Sequence, residues 1–309
     1  MAIRLFIDGA AGTTGLEIRE RLEGCAEFEL LVLGDAERKS EAARRDALHA
    51  ADVAILCLPD EAAKEAVMLA QGSGTRIIDA SSAHRVADGW TYGFPELMGR
   101  GNIANAQFVS NPGCFPTGFL ALVAPLVRAG LLPADWPYTV NAVSGYSGGG
   151  NALIDRFEQI PDIAFRAYGL GMGHKHLPEM QEYAGLAHLP VFSPSVVPAH
   201  RGMIVDVPLM LGALPVRPTG EKMHAVLAAF YEGSAVVRVA PLSPEPGELL
   251  LLKSATPSDG LTLHVFTNAG DAQARLVAVL DNLGKGASGA AIQNLNIMCG
   301  LPEIAGLHL

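Results

Sequence analysis

Ile3-Arg4-Leu5-Phe6-Ile7-Asp8-Gly9-Ala10-Ala11-Gly12-Thr13-Thr14-Gly15 decides the reading of this chain. Ile3 to Ile7 is a short apolar run of strand length, and Leu16 to Leu22 has helical character. Between them Gly9, Gly12 and Gly15 make a G-x-x-G-x-x-G loop, one residue longer at the front than the G-x-G-x-x-G fingerprint. In a strand, glycine loop and helix unit the glycines let the backbone approach a pyrophosphate, and the helix start offers N–H groups and a favourable dipole.

Strand–helix alternation continues outward. Phe28 to Leu33 reads as a second strand, and Asp35 falls twenty residues after Gly15, where a carboxylate could bind a ribose 2′-hydroxyl. Arg38, Lys39, Arg44 and Arg45 follow, the kind of cation cluster a 2′-phosphate needs. The carboxylate points to NAD and the cations to NADP. Val53 to Leu58 and Ile77 to Ala80 read as further strands, with a helix from Asp60 to about Gln71 between them. Ser81 and Ser82 then fall at the C-terminal edge of a parallel sheet, where ligands bind.

The same edge receives Ser110-Asn111-Pro112-Gly113-Cys114-Phe115-Pro116-Thr117-Gly118. Gln107 to Val109 reads as a strand and Phe119 to Val127 as a helix, so Cys114 sits where strand turns into helix. Unpaired N–H groups and the helix dipole favour thiolate there, and the same N–H groups can hold an oxyanion. A buried cysteine acting as a small hydrophobe is the alternative. By the logic of the fold, the glycine loop and the thiol are expected to share one crevice.

Beyond about Ala134 the alternation gives way to β-rich stretches. Tyr138–Ser144, Met203–Val207, Val236–Val239, Leu261–Asn268 and Gln273–Leu280 read as strands, and Glu221–Tyr231 as a helix. This is a second, α+β domain. Within it Ser144-Gly145-Tyr146-Ser147-Gly148-Gly149-Gly150 reads as a flexible binding loop or lid. Gly173-His174-Lys175-His176-Leu177-Pro178-Glu179 puts two histidines and a carboxylate within six residues, a proton carrier suited to thiol chemistry. A metal reading of that cluster lacks a further ligand group. Arg201, ahead of a strand, reads as a clamp for phosphate or carboxylate. After Gly284 the chain turns helical again through Ala287 to Met298.

Composition limits the classes. Of 309 residues half are hydrophobic and only 17% charged, with 34 glycines and 20 prolines, which describes a turn-rich globular chain of about two domains. A formal net charge of -10 argues against nucleic acid as a partner. The longest apolar stretch, Gly118 to Val127, is too short to span a bilayer, so no membrane is expected. Cys25, Cys57, Cys114 and Cys299 lie far apart with no Cys-x-x-Cys, which fits a reducing cytoplasm.

Taken together, the glycine loop Gly9 to Gly15, the Cys114 stretch, His174 to Glu179 and Lys285-Gly286-Ala287-Ser288-Gly289-Ala290-Ala291-Ile292-Gln293-Asn294 resemble the shorter type of the N-acetyl-γ-glutamyl-phosphate reductase family, over essentially the whole chain. The glycine loop is shared with aspartate-semialdehyde dehydrogenases. Ala11-Gly12-Thr13 departs from the family, where a bulkier aromatic is common before the second threonine. The resemblance implies a Rossmann-type α/β dinucleotide-binding domain over 1–113 and 285–309, and an α+β substrate and oligomerisation domain over 114–284. It implies NADPH-dependent reduction of an acyl phosphate to a semialdehyde through a Cys114 thioester, with His176 as acid–base and Glu179 orienting it. Asn111, Ser144, His174 and Arg201 are assigned to the substrate. Gly9, Gly12, Thr13, Thr14, Gly15, Arg38, Ser81, Gly286 and Asn294 are assigned to NADP. No metal is called for, and a homodimer or homotetramer is expected. An aspartyl or aminoadipyl phosphate reductase is the neighbouring reading, and a thiol hydrolase or acyltransferase the reading from another class.

Overall fold

A computed structural model describes residues 2–34, 36–243 and 247–309. Asp35, the proposed ribose ligand, lies outside the described residues. Packing divides the chain into two units. One runs to Gly113 and takes back Ala287–Leu307; the other is Cys114–Gly286 with His308–Leu309. The return crossing falls between Gly286 and Ala287, two residues later than the expected start at 285.

The first unit holds β1 (Ile3–Asp8), β2 (Phe28–Leu31), β3 (Val53–Leu56), β4 (Arg76–Asp79), β5 (Thr91–Tyr92) and β6 (Phe108–Ser110). They form one sheet in the order β2-β1-β3-β4-β6-β5, with every pair parallel. A parallel sheet must be covered on both faces, and the strand sequences supply both. Leu5 and Ile7 pack with Ile18, Leu22, Ile103, Ile292 and Leu295. Phe6 packs with Leu48, Ala63, Ala66 and Leu69. Helices Thr13–Leu22 and Gly289–Met298 therefore cover one face, and Glu41–Ala50 and Asp60–Leu69 the other. Strand order reverses at β1 and β3, the switch point where such sheets bind ligands.

In the second unit β7 (Thr139–Gly145), β8 (Arg166–Ala167), β9 (Val191–Val197), β10 (Met203–Leu209), β11 (Val237–Val239), β12 (Leu261–Thr267) and β13 (Ala274–Leu280) form a mixed sheet, ordered β11-β12-β13-β10-β7-β9-β8. Helix Cys114–Arg128, apolar almost throughout, packs on β10, β12 and β13 and on helices Leu177–Ala184 and Gly220–Phe230. β9 carries Pro194, a residue that cannot donate to a ladder and so weakens a strand reading. Its carbonyl still takes part in the ladder, accepting the Tyr168 N–H at 3.3 Å.

The expected flexible loop Ser144–Gly150 is a correction. β7 runs through Gly145, and Tyr146–Gly149 is a short 3-10 turn. The N–H groups of Gly145, Tyr146 and Ser147 donate to the carbonyls of Gly202, Ala199 and His200. Ser144 is buried, and its hydroxyl donates to the Gly145 carbonyl at 2.9 Å. Backbone pairing with a distant segment, invisible in a run of glycines, fixes this stretch.

Candidate active site

Cys114 is the first residue of its helix, five positions ahead of the expected helix start at Phe119. Gly286 packs directly against it: a β-carbon there would lie 2.9 Å from the Cys114 Cβ and 3.0 Å from the Asp281 carbonyl oxygen. The Gly286 N–H donates to that carbonyl at 2.9 Å. Gly286, expected to bind cofactor, thus lies in the second unit as part of the thiol's support. The reason is close approach, which only a residue without a side chain allows.

Next in sequence, Phe115 joins the thiol's helix to the histidine segment. Its ring lies 5.8 Å from that of His176 and 6.2 Å from that of His174, centre to centre. The two imidazoles meet edge-on at 4.7 Å, and Phe192 walls the cluster at 5.1 Å from both Phe115 and His174. His176 caps helix Leu177–Ala184, and Glu179 is buried completely in that helix's first turn.

Tyr168 also belongs to this cluster, and no sequence motif marked it. Its ring lies 5.7 Å from His174, and the Arg166 guanidinium sits 4.5 Å above it. Burial, reinforced by the nearby Cys114, raises its phenol pKa, while Arg166 works in the opposite direction. Tyr168 therefore stays a neutral donor at neutral pH. The available signal was an aromatic residue six positions ahead of His174 across Gly169-Leu170-Gly171-Met172-Gly173.

Arg201 pairs with Asp281, Nη1 to Oδ2 at 2.8 Å, and both side chains are largely buried. Beside it the Gly202 N–H donates to Asn282 Oδ1 at 2.9 Å, and Asn282 Nδ2 donates to Ser147 Oγ at 2.9 Å.

In the first unit the glycine loop has the build of a dinucleotide cradle. Gly9 has φ +90°, and a β-carbon there would meet the Cys57 carbonyl oxygen at 2.3 Å; one at Gly15 would meet the Gly9 oxygen at 2.4 Å. Gly12 caps helix Thr13–Leu22 without a side chain of its own to bond the first-turn N–H groups. Thr13 and Thr14 open that helix, so their amides point the way an anion requires. These residues fit a bound pyrophosphate.

The other expected contacts are more deeply placed. The Ser81 hydroxyl donates to Asp79 at 2.7 Å and accepts the Ala83 N–H at 3.1 Å, so it braces the turn after β4. Asn294 Nδ2 donates to Asn111 Oδ1 at 3.1 Å and to the Gly93 carbonyl at 2.8 Å, while Asn111 Nδ2 donates to the Ala287 carbonyl at 3.0 Å. Both asparagines are buried within the first unit. Arg38 and Lys39 are exposed after β2. Arg44 leaves the expected cation cluster. Its guanidinium pairs with Asp8 at 3.0 Å and Glu65 at 3.1 Å, because the carboxylate buried at the end of β1 needs a countercharge.

Among the described residues no group of three or more His, Cys, Asp or Glu is placed to hold a metal ion, and no helix is long and apolar enough to cross a membrane.

The semialdehyde dehydrogenase NAD-binding domain matches residues 4–106, and the semialdehyde dehydrogenase dimerisation domain matches residues 114–282. The chain is thus an oxidoreductase of the semialdehyde dehydrogenase class, with a domain for a nicotinamide dinucleotide. Solved structures agree on the fold. Aspartate semialdehyde dehydrogenase II from Vibrio cholerae, complexed with ASA, superposes with a TM-score of 0.70 at 18% identity, covering 96% of this chain and 98% of that one. The enzyme from Candida albicans, with NADP, gives 0.64 at 15% identity over 96% and 98%. Curated sequences lie much nearer. N-acetyl-gamma-glutamyl-phosphate reductase 2 of Nostoc sp. is 49% identical, covering 98% of this chain and 99% of that protein. The Brucella anthropi N-acetyl-gamma-glutamyl-phosphate reductase is 51% identical over 97% and 99%. The chain belongs to the N-acetyl-γ-glutamyl-phosphate reductase family.

Proposed function

We propose that this chain reduces N-acetyl-γ-glutamyl phosphate to N-acetylglutamate 5-semialdehyde with release of phosphate, the reductive step of arginine biosynthesis, with NADPH as reductant. The observation that carries the proposal is one cluster in the second unit: Cys114 on a helix start, followed by Phe115 against His174 and His176, with Tyr168 beside them.

The thiolate of Cys114 attacks the acyl carbon; the carbon–sulfur bond forms as the carbon–oxygen bond to phosphate breaks, leaving a thioester on Cys114. NADPH, when bound, would supply the hydride that reduces this thioester. His176, carrying the proton it took from the Cys114 thiol, gives that proton to the carbonyl oxygen to complete the hemithioacetal hydroxyl. His176 takes the hemithioacetal hydroxyl proton as the carbon–sulfur bond breaks, which frees the semialdehyde and restores Cys114. Glu179 orients His176. His174 and Arg201 hold the substrate's carboxylate or phosphate. Gly9 to Gly15 hold the cofactor pyrophosphate, and Arg38 with Lys39 select the 2′-phosphate. A reducing cytoplasm suits a catalyst that must keep a free thiol, and the dimerisation-domain match supports a homo-oligomer.

Purified protein with NADP, phosphate and N-acetylglutamate semialdehyde should produce reduced nicotinamide, and Cys114→Ala should not. Product from Cys114→Ala at the wild-type rate would overturn the thioester route. An inactive wild type that turns over aspartate semialdehyde instead would overturn the substrate assignment.

A further inference from the structure

Asp281 follows β13 and is nearly inaccessible, yet every polar atom of its side chain is engaged. Oδ2 accepts Arg201 Nη1 at 2.8 Å and the Ser258 N–H at 3.2 Å, while Oδ1 accepts the Leu283 N–H at 2.9 Å. Its carbonyl accepts the N–H of Gly286, the residue against which Cys114 packs. One residue therefore ties the anion clamp to the thiol's support, all within the second unit.

We propose that Asp281 is a positioning residue that fixes the Arg201 guanidinium in the direction from which it takes the anionic group of the substrate. This rests on the reading of Arg201 as that clamp. The carboxylate is held from two backbone amides before it meets Arg201, so it imposes a direction on the guanidinium instead of following it. A guanidinium offers five donors in a planar fork, and anchoring one end pre-orients the remainder, which lowers the ordering cost of binding. Charge alone predicts the opposite outcome on substitution. Asp281 is negative, so neutralising it without any loss of orientation would strengthen attraction for an anion.

The test is steady-state kinetics with NADP, phosphate and N-acetylglutamate semialdehyde for wild type, Asp281→Asn, Arg201→Lys and the double variant. Asp281→Asn should raise the KM for semialdehyde about tenfold while kcat changes much less. The double variant should be no worse than Arg201→Lys alone, because the two residues act as one device. Alkylation of Cys114 by iodoacetamide, followed on its own peptide, should stay at the wild-type rate, since Asn retains the carbonyl bonded to Gly286. An unchanged or lowered KM in Asp281→Asn, or additive losses in the double variant, would overturn the proposal. Should Asp281→Asn fail to fold, Asp281→Glu shifts the carboxylate by one methylene; it should raise KM with near-wild-type thermal unfolding, and an unchanged KM would equally overturn it. Failure of the underlying reading looks different: the wild type is inactive, or Arg201→Lys keeps the wild-type KM.

Discussion

The backbone N–H of His176 donates to Nδ1 of His174 at 3.2 Å. An acceptor Nδ1 places the proton of the neutral His174 ring on Nε2. To act as a base at Nε2, His174 would have to carry its proton on Nδ1 and break this bond. In this tautomer His174 offers a donor at Nε2, which supports the proposal that His176 is the acid–base group.

Exchanging each histidine for Asn separates the roles. His176→Asn should lose about 10²–10⁴-fold in kcat, the usual yield of a positioned acid–base group. His174→Asn, which keeps a donor, should act mainly on KM. A larger kcat loss in His174→Asn would reverse the assignment.

Gly286→Ala tests the support beneath the thiol. Its new methyl would sit 2.9 Å from the Cys114 Cβ and 3.0 Å from the Asp281 carbonyl oxygen, and because a Cβ is fixed by its own backbone, the start of the thiol's helix must shift to admit it. Displacing a nucleophile by about 1 Å can cost about 10²-fold in rate. The expected result is a kcat loss of that order with a modest drop in thermal stability. Wild-type kcat would mean the thiol is not held by this contact.

Arg44 gives a stability prediction with a pH signature. Burial raises the Asp8 carboxyl pKa, and it outweighs the opposing pull of Arg44. Removing Arg44 leaves a buried charge unpaired, at a cost of about 3–5 kcal/mol. In Arg44→Ala the folded-state pKa of Asp8 rises further above its unfolded value near 3.9, so the folded chain binds more protons than the unfolded one across that interval. Stability then falls as pH rises through it. Urea unfolding should show a large defect at neutral pH that shrinks in mild acid; a defect independent of pH would contradict the pairing argument.

Arg38 and Lys39 are exposed after β2, whereas Arg44 is committed to Asp8 and Arg45 pairs with Glu41 at 3.1 Å. Arg38→Ala with Lys39→Ala should lower kcat/KM for NADP by about 10- to 100-fold, the range for losing charge-assisted hydrogen bonds worth about 1.5–3 kcal/mol, and should leave the value for NAD nearly unchanged. An equal fall with both cofactors would point to a general electrostatic effect.

By itself, the sequence determined the features whose physics is local. Hydrophobic period, glycine spacing and turn chemistry marked the loop after β1, the strand-to-helix turn that carries Cys114, five of the seven second-unit strands and the close pair of histidines. Tertiary structure decided which side chain answers which. Arg44 reads as a cofactor cation until folding brings the buried Asp8 to it across 36 residues. The glycine-rich stretch after Ser144 reads as mobile until the carbonyls of Gly202, Ala199 and His200 take up the amides of Gly145, Tyr146 and Ser147. Tyr168 and Asp281 carry no motif, and their places beside His174 and Arg201 come from pairings 6 and 80 residues away in sequence. A backbone segment can advertise its own conformation, but the partner of a buried charge or amide is chosen by the packing of the whole unit, where an unsatisfied group costs more than any local preference supplies.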